Sequence, residues 1–301
     1  MWYINATTRE GEFMFFNEEV IEKQDKVDEN ELKKLQKEKH KKEIINLTKA
    51  LHRYIIENAS LKEVDNIIKS GANISLGGEK GCNALHLAAR HKNIQLVSYL
   101  IKLGANVDTV NNCGNTALHE AAYNSDAPLI KLLIGEGADI NHRNERGNTA
   151  LHVAAEEGCL DSIRCLLSYE INVNSKNHLG NTALHKAAYH GRKEVVELLI
   201  KSGANLEIRN DRGNTPFQRA CYHGFLDVVL LMVSKGANIN AVNKEGNTPL
   251  HRAAMAHHIK VVQALLEAGA NPEIKNKQGF YAKDIASSIL IKDFFKKYGK
   301  S

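Results

Sequence analysis

Apolar positions along this chain fall into pairs of short clusters separated by a polar gap, and the arrangement recurs. In Gly147–Ala155 the apolar residues Ala150, Leu151, Val153, Ala154 and Ala155 follow Thr149. The spacing predicts a short helix that Thr149 caps, its hydroxyl taking an orphan backbone N–H, and that Gly158 ends. Leu160, Ile163, Leu166 and Leu167 then recur at helical spacing and predict a second, amphipathic helix. In two sister segments Pro216 and Pro249 follow Thr215 and Thr248, and proline at the first helical position is pre-organised for a start. Elsewhere a Gly-Ala pair closes the second helix, glycine being favoured in the left-handed conformation there. Each unit reads as a turn, a short helix, a second short helix and an extended loop.

The units keep a fixed period. Gly81, Gly114, Gly147, Gly180, Gly213, Gly246 and Gly279 stand at six equal intervals of 33. Gly71, Gly104, Gly137, Gly203, Gly236 and Gly269 keep the same period, broken only by Glu170. Asn111, Asn144, Asn177, Asn210, Asn243 and Asn276 form a third ladder. Leu-His pairs end at His86, His119, His152, His185 and His251, with Phe217-Gln218 as the exception. An array of stacked units explains this better than the one or two globular domains expected from 301 residues. Gly147 follows Asn144 by three, the pattern of a tight turn with a glycine at positive φ.

The repeated GNTALHxAA…LLIxxGAxxNxxN, with Gly246–Ala254 reading GNTPLHRAA, resembles the ankyrin repeat. The resemblance implies an all-α solenoid of helix-turn-helix units joined by β-hairpin-like loops, preceded here by a charged N-terminal helix. It covers six full units, 80–112, 113–145, 146–178, 179–211, 212–244 and 245–277. Residues 47–79 read as a degenerate N-capping unit, with Leu51-His52 and Ser70–Asn73 in place, and 278–301 as a C-capping half-unit. In that half-unit Asp284 stands where the histidine belongs and Lys283 where the leucine belongs, while Ile289, Leu290, Phe294 and Phe295 are expected to face the last full unit. Three departures stand out: asparagine where the family often has aspartate, Glu170 at a glycine position with an expected local cost of up to about 1 kcal/mol, and Cys82-Asn83 in place of the Asn-Thr of later units.

Residues 1–46 form a charged extension. Positions 18–31 carry seven acids against Lys23 and Lys26, and positions 32–43 six lysines against Glu38 and Glu43. The Lys33–Lys42 run reads as a solvated helix face, with a nuclear-import signal as the alternative. The net charge of +5 and the absence of interleaved aromatics argue against direct nucleic-acid binding. No apolar run is long enough to cross a bilayer. With no basic-then-apolar leader and five unpaired cysteines, the thiols are expected to be reduced and the location cytoplasmic, nuclear import or delivery into a host cell being the alternatives.

No catalytic motif is present, and neither cofactor nor metal is expected. A histidine repeated every 33 residues does one structural job each time, and the resemblance implies a buried imidazole bonded to the neighbouring loop. His257-His258 has no Cys or carboxylate at zinc spacing. Cys221 replaces an alanine and is expected to be buried; Cys82 and Cys113 fall in turns and are expected to be exposed. The chain therefore reads as a non-catalytic scaffold for one or more proteins, acting as a monomer.

Where the repeated positions hold the fold, the varying ones are free for recognition. The resemblance implies partner contacts at the two residues before each turn glycine and the two after each Ala-Ala pair, on a concave face. These include Tyr123, Glu156, Glu157, Leu179, Tyr189, His190, Arg212, Tyr222, His223 and Met255. Tyrosine and arginine are common interface anchors, and the expected centre is Leu179, Tyr189, His190, Arg212, Tyr222 and His223. The alternative is that the tyrosines only pack between adjacent first helices.

Overall fold

The computed structural model describes residues 18–288 together with 291, 292, 294 and 295, and side chains from Glu29 onward. No strand occurs among the described residues. Helix α1 (Glu18–Ile56) is followed by α2 (Leu61–Lys69), and a 3-10 turn, Glu79–Gly81, opens the first full unit. First helices α3 (Ala84–Arg90), α5 (Ala117–Tyr123), α7 (Ala150–Glu157), α9 (Ala183–Tyr189), α11 (Pro216–His223) and α13 (Pro249–Met255) alternate with second helices. These are α4 (Ile94–Lys102), α6 (Ala127–Gly135), α8 (Leu160–Leu167), α10 (Lys193–Lys201), α12 (Leu226–Ser234) and α14 (Ile259–Glu267), and α15 (Ala282–Ile285) ends the row.

Each first helix packs on the next first helix and on its own second helix. The Ala-Ala pairs make this close stacking feasible: Ala121-Ala122, Ala154-Ala155 and Ala187-Ala188 are completely buried. The leucines and valines of the second helices fill the layer behind them. One continuous apolar core runs from Leu51 to Phe295, as an array of nearest-neighbour contacts requires.

The loops stack as regularly as the helices. The backbone N–H groups of Glu145, His178, Asp211 and Lys244 donate to the carbonyls of Cys113, Arg146, Leu179 and Arg212 on the preceding loop, at 3.0–3.3 Å. Gly147 has φ 71°, and a Cβ there would come within 2.7 Å of the His178 nitrogen. Two constraints thus fix glycine at that turn: the left-handed backbone and the approach of the next loop.

Helix α1 runs unbroken across residue 46, so the charged extension and the first helix of the capping unit are one element. Residues 29–43 of it are exposed; burial begins at Ile44 and is complete by Leu51. At the other end Tyr281 donates its N–H to Asp284 Oδ2 at 2.9 Å, the bond that a ring nitrogen accepts in the full units. Phe295 is buried and Phe294 partly so, while Ile289 and Leu290 lie outside the described residues.

Two sequence expectations need correction. Glu170 does not adopt positive φ. In the next unit Ala204 donates back to Leu199 at 2.9 Å and closes the helix; here Ile171 donates to Tyr169 at 2.8 Å instead. Cys82 is buried, not exposed: it occupies the ladder position after the turn glycine and takes Asn111 Nδ2 on its sulfur at 3.6 Å.

Candidate functional site

The repeated polar residues are spent on joining units. In α9, Thr182 N–H donates to His185 Nδ1 at 3.2 Å, and His185 Nε2 meets the Asn214 carbonyl of the next unit at 3.0 Å. A carbonyl only accepts, which assigns the proton to Nε2. His119, His152 and His251 repeat the arrangement, reaching the carbonyls of Asn148, Asn181 and Phe280 at 3.0–3.1 Å. Burial, only partly opposed by the bond to Asn214, pushes the His185 imidazole down to about 4. Gln218 does the same work without a ring: its Oε1 accepts Thr215 N–H at 3.0 Å and its Nε2 donates to Asn247 O at 2.7 Å. The thiol of Cys221 is fully buried, and burial raises it far above the ordinary thiol range. None of these side chains is presented to solvent as a reacting group.

The varying positions lie along the row of first helices, and one geometric relation organises them. At four places the residue after an Ala-Ala or Ala-Cys pair meets the residue before the matching pair of the next unit, 30 positions later. Arg90 grips Glu120 through two bonds of 3.0 Å. Glu156 bonds Lys186 Nζ at 2.6 Å and also His190 Nε2 at 3.3 Å. Further along, the acid is replaced by a ring. The Arg219 guanidinium sits 4.4 Å from the Tyr189 ring centroid, and that of Arg252 4.0 Å from the Tyr222 ring.

Six of the sequence-derived residues come together here. Leu179, Glu156, Tyr189 and His190 line a cleft of about 330 Å³ with Lys186 and Arg219. Leu179 is 66% exposed although apolar. Tyr189 and Tyr222 are bridged by His223, whose ring centroid is 4.1 Å from the first and 5.1 Å from the second. The tyrosines thus pack within the row while remaining half-exposed. Tyr123 and Glu157 belong to the neighbouring cleft of about 370 Å³, which shares Glu156 and includes Arg146. Arg212 is exposed on its loop. Met255 lies at the end of the row, its sulfur 3.9 Å from Arg252.

The charges divide the face. Burial alone would raise the Glu156 carboxyl, but the bond to Lys186 outweighs it and holds the acid below its ordinary range. Burial lowers His190 against the pull of Glu156. Burial, reinforced by Arg219 and Arg252, pushes His223 down to about 4, so it is neutral at pH 7. Both arginines are themselves lowered, first by burial. Neither has a carboxylate within ion-pair distance among the described residues, and Arg252 Nε and His223 Nε2 are buried without a hydrogen-bond partner.

Sequence reasoning missed the residue before the Ala-Ala pair: Glu120, Lys186, Arg219 and Arg252. A signal was present, because Arg90 with Glu120 and Glu156 with Lys186 are opposite charges 30 residues apart.

Comparison with known proteins agrees with this architecture. No curated protein matches the chain by sequence. The ankyrin repeat domain of Bcl-3, described as a unique member of the IkappaB protein family, superimposes with a TM-score of 0.64 at 29% identity, covering 72% of this chain and 99% of that one. The ankyrin repeat domain of human ASB11 gives a TM-score of 0.67 at 27% identity, covering 73% and 100%. A family model of three ankyrin repeats matches residues 51–144, 118–210 and 202–276, and the chain belongs to the ankyrin repeat family.

Proposed function

We propose that the chain is a non-catalytic scaffold that binds a partner protein along the concave row of its first helices, centred on units four to six. Ankyrin repeats are generally protein-interaction modules, which sets the class. The observation that carries the finer reading is the division of labour among polar groups: the repeated ones bond between units, whereas the varying ones gather on one accessible face. Tyr189, Tyr222 and Leu179 supply apolar area there at low entropy cost. The paired charges Arg90–Glu120 and Glu156–Lys186 favour register and specificity over affinity.

The test is a pull-down with the intact chain, compared with the double substitution Tyr189→Ala and Tyr222→Ala at an unchanged melting curve. Loss of the captured partner is expected. Full retention, with loss caused instead by changes within residues 18–43, would move the function to helix α1.

A further inference from the structure

The four contacts across the first helices differ in one respect that matters for binding. In the first two the cation is neutralised inside the protein: Arg90 by the buried Glu120, Lys186 by Glu156. In the last two, Tyr189 and Tyr222 take the acid's place, so Arg219 and Arg252 are held against rings with their charge uncompensated. A ring face attracts a cation but fills none of its N–H donors. Arg252 Nε and His223 Nε2 stand unbonded beside each other's tyrosines, two of four such atoms among the described residues. The nearest acid along the loop, Glu245, gives one oxygen to Asn247 Nδ2 at 2.9 Å. Half-buried cations with unfilled donors are costly unless an anion arrives.

Building on the scaffold reading, we propose that this part of the face receives an extended acidic segment of a partner protein, with two carboxylates three residues apart taken by Arg219 and Arg252. The spacing follows from geometry. The two arginines hold the same place on successive packed helices, whose axes lie about 8–10 Å apart. A peptide extended in the polyproline II conformation advances about 3.1 Å per residue with three residues per turn, so side chains three residues apart share a face and span that distance. The exposed Leu179 lies in the cleft on the Arg219 side, so the segment carries an apolar residue before the first acid. Planar guanidinium groups fixed on tyrosine rings are pre-organised for two-point carboxylate recognition.

The experiment is selection of random displayed peptides on the immobilised full chain, followed by fluorescence anisotropy of a selected peptide and its Glu→Gln counterpart. Selected sequences are expected to hold two acids three residues apart, to bind more weakly with added salt, and to lose at least about tenfold in affinity to Arg219→Gln with Arg252→Gln. Tyr222→Glu is the second variant; it places beside Arg252 the internal carboxylate that Arg90 and Lys186 already have, and the same loss is expected without removing either arginine. Peptides lacking the acidic pair, or binding indifferent to both variants, would overturn the inference. If such peptides still require Tyr189 and Tyr222, the scaffold reading stands and only the acidic partner is lost. An RNA homopolymer that displaces the peptides at equal affinity would overturn it in favour of a nucleic acid.

Discussion

Asn177 donates its side-chain Nδ2 to Oδ1 of Asn148 on the preceding loop at 2.7 Å. Asn144, Asn210, Asn243 and Asn276 do the same to Asn115, Asn181, Asn214 and Asn247, at 2.8–3.0 Å. Each Oδ1 meanwhile closes its own loop; that of Asn177 accepts the N–H groups of Leu179 and Asn181 at 3.0 Å. The loop needs only an acceptor, which aspartate supplies equally well. The link between successive loops needs a donor as well, which asparagine supplies; at the first turn the Asn111 amide donates instead to the Cys82 sulfur, at 3.6 Å.

Replacing Asn177 by aspartate should therefore keep the loop and break the link, setting a buried carboxylate oxygen against Asn148 Oδ1. A loss of about 1–3 kcal/mol is expected in chemical denaturation. Asn172→Asp is the control: the Asn172 side chain is exposed and accepts the Asn174 N–H at 2.9 Å, a bond a carboxylate keeps, so a change within about 0.5 kcal/mol is expected. Equal losses at both positions would show that the amide ladder does not hold the units together.

Gln218 predicts how its histidine neighbours tolerate change. His185→Ala leaves the Asn214 carbonyl and the Thr182 N–H unpaired in a buried place, at a cost of about 1–3 kcal/mol. His185→Gln restores an acceptor and a donor in the order Gln218 already shows, and should recover most of that loss. Thermal melts of the two variants side by side decide the matter.

The same histidines set the pH dependence of stability. His119, His152 and His185 are each pushed down to about 4 in the fold, burial being the first cause. Around His185 the cations Arg219 and Lys176 and the ring of His152 add to the effect. An unfolded histidine takes its proton near 6.5. Between about pH 6.5 and 4 the unfolded chain binds protons that the folded chain refuses, so stability falls as pH falls through that window and is flat above it. Each of these three histidines contributes up to about 3 kcal/mol to this loss. Guanidinium melts at pH 7.5, 6 and 5 should show the decline, and His185→Gln should make it shallower.

What the sequence made legible was whatever repeats. The roles of Thr182, His185 and Gly147 could be inferred because the same residue does the same job every 33 positions. The face was only half legible, since Tyr189 and Tyr222 were found as residues that vary while their partners Arg219 and Arg252 were not. Those contacts cross from one unit to the next, and a column read within single units does not display a pairing 30 residues apart. Cys82 was misjudged for a related reason: its neighbours in sequence form a turn, but its sulfur is covered by Asn111 on the following loop. Gln218 looked like a departure, although an amide carries the same acceptor and donor as the neutral imidazole.

Glu170 is where the array is weakest by its own rule. Five full units end the second helix with a glycine at positive φ, Gly104, Gly137, Gly203, Gly236 and Gly269, followed by an alanine whose N–H returns to the helix, as Ala204 does to Leu199 at 2.9 Å. Glutamate resists the left-handed backbone, and the third unit gives up that closure instead of adopting the strain. Its second helix, α8, is also one residue shorter than the others. Restoring glycine removes the obstacle but adds freedom to the unfolded chain, and the two effects oppose one another. Because the regained bond caps an otherwise open helix end, Glu170→Gly is expected to stabilise the chain by up to about 1 kcal/mol. Hydrogen exchange gives a local reading of the same change: the Ile171 amide, which now bonds only to Tyr169 across a tight turn, should become more protected. An unaltered Ile171 exchange rate with reduced stability would show that Ile171, larger than the alanine it replaces, is what keeps this turn from closing.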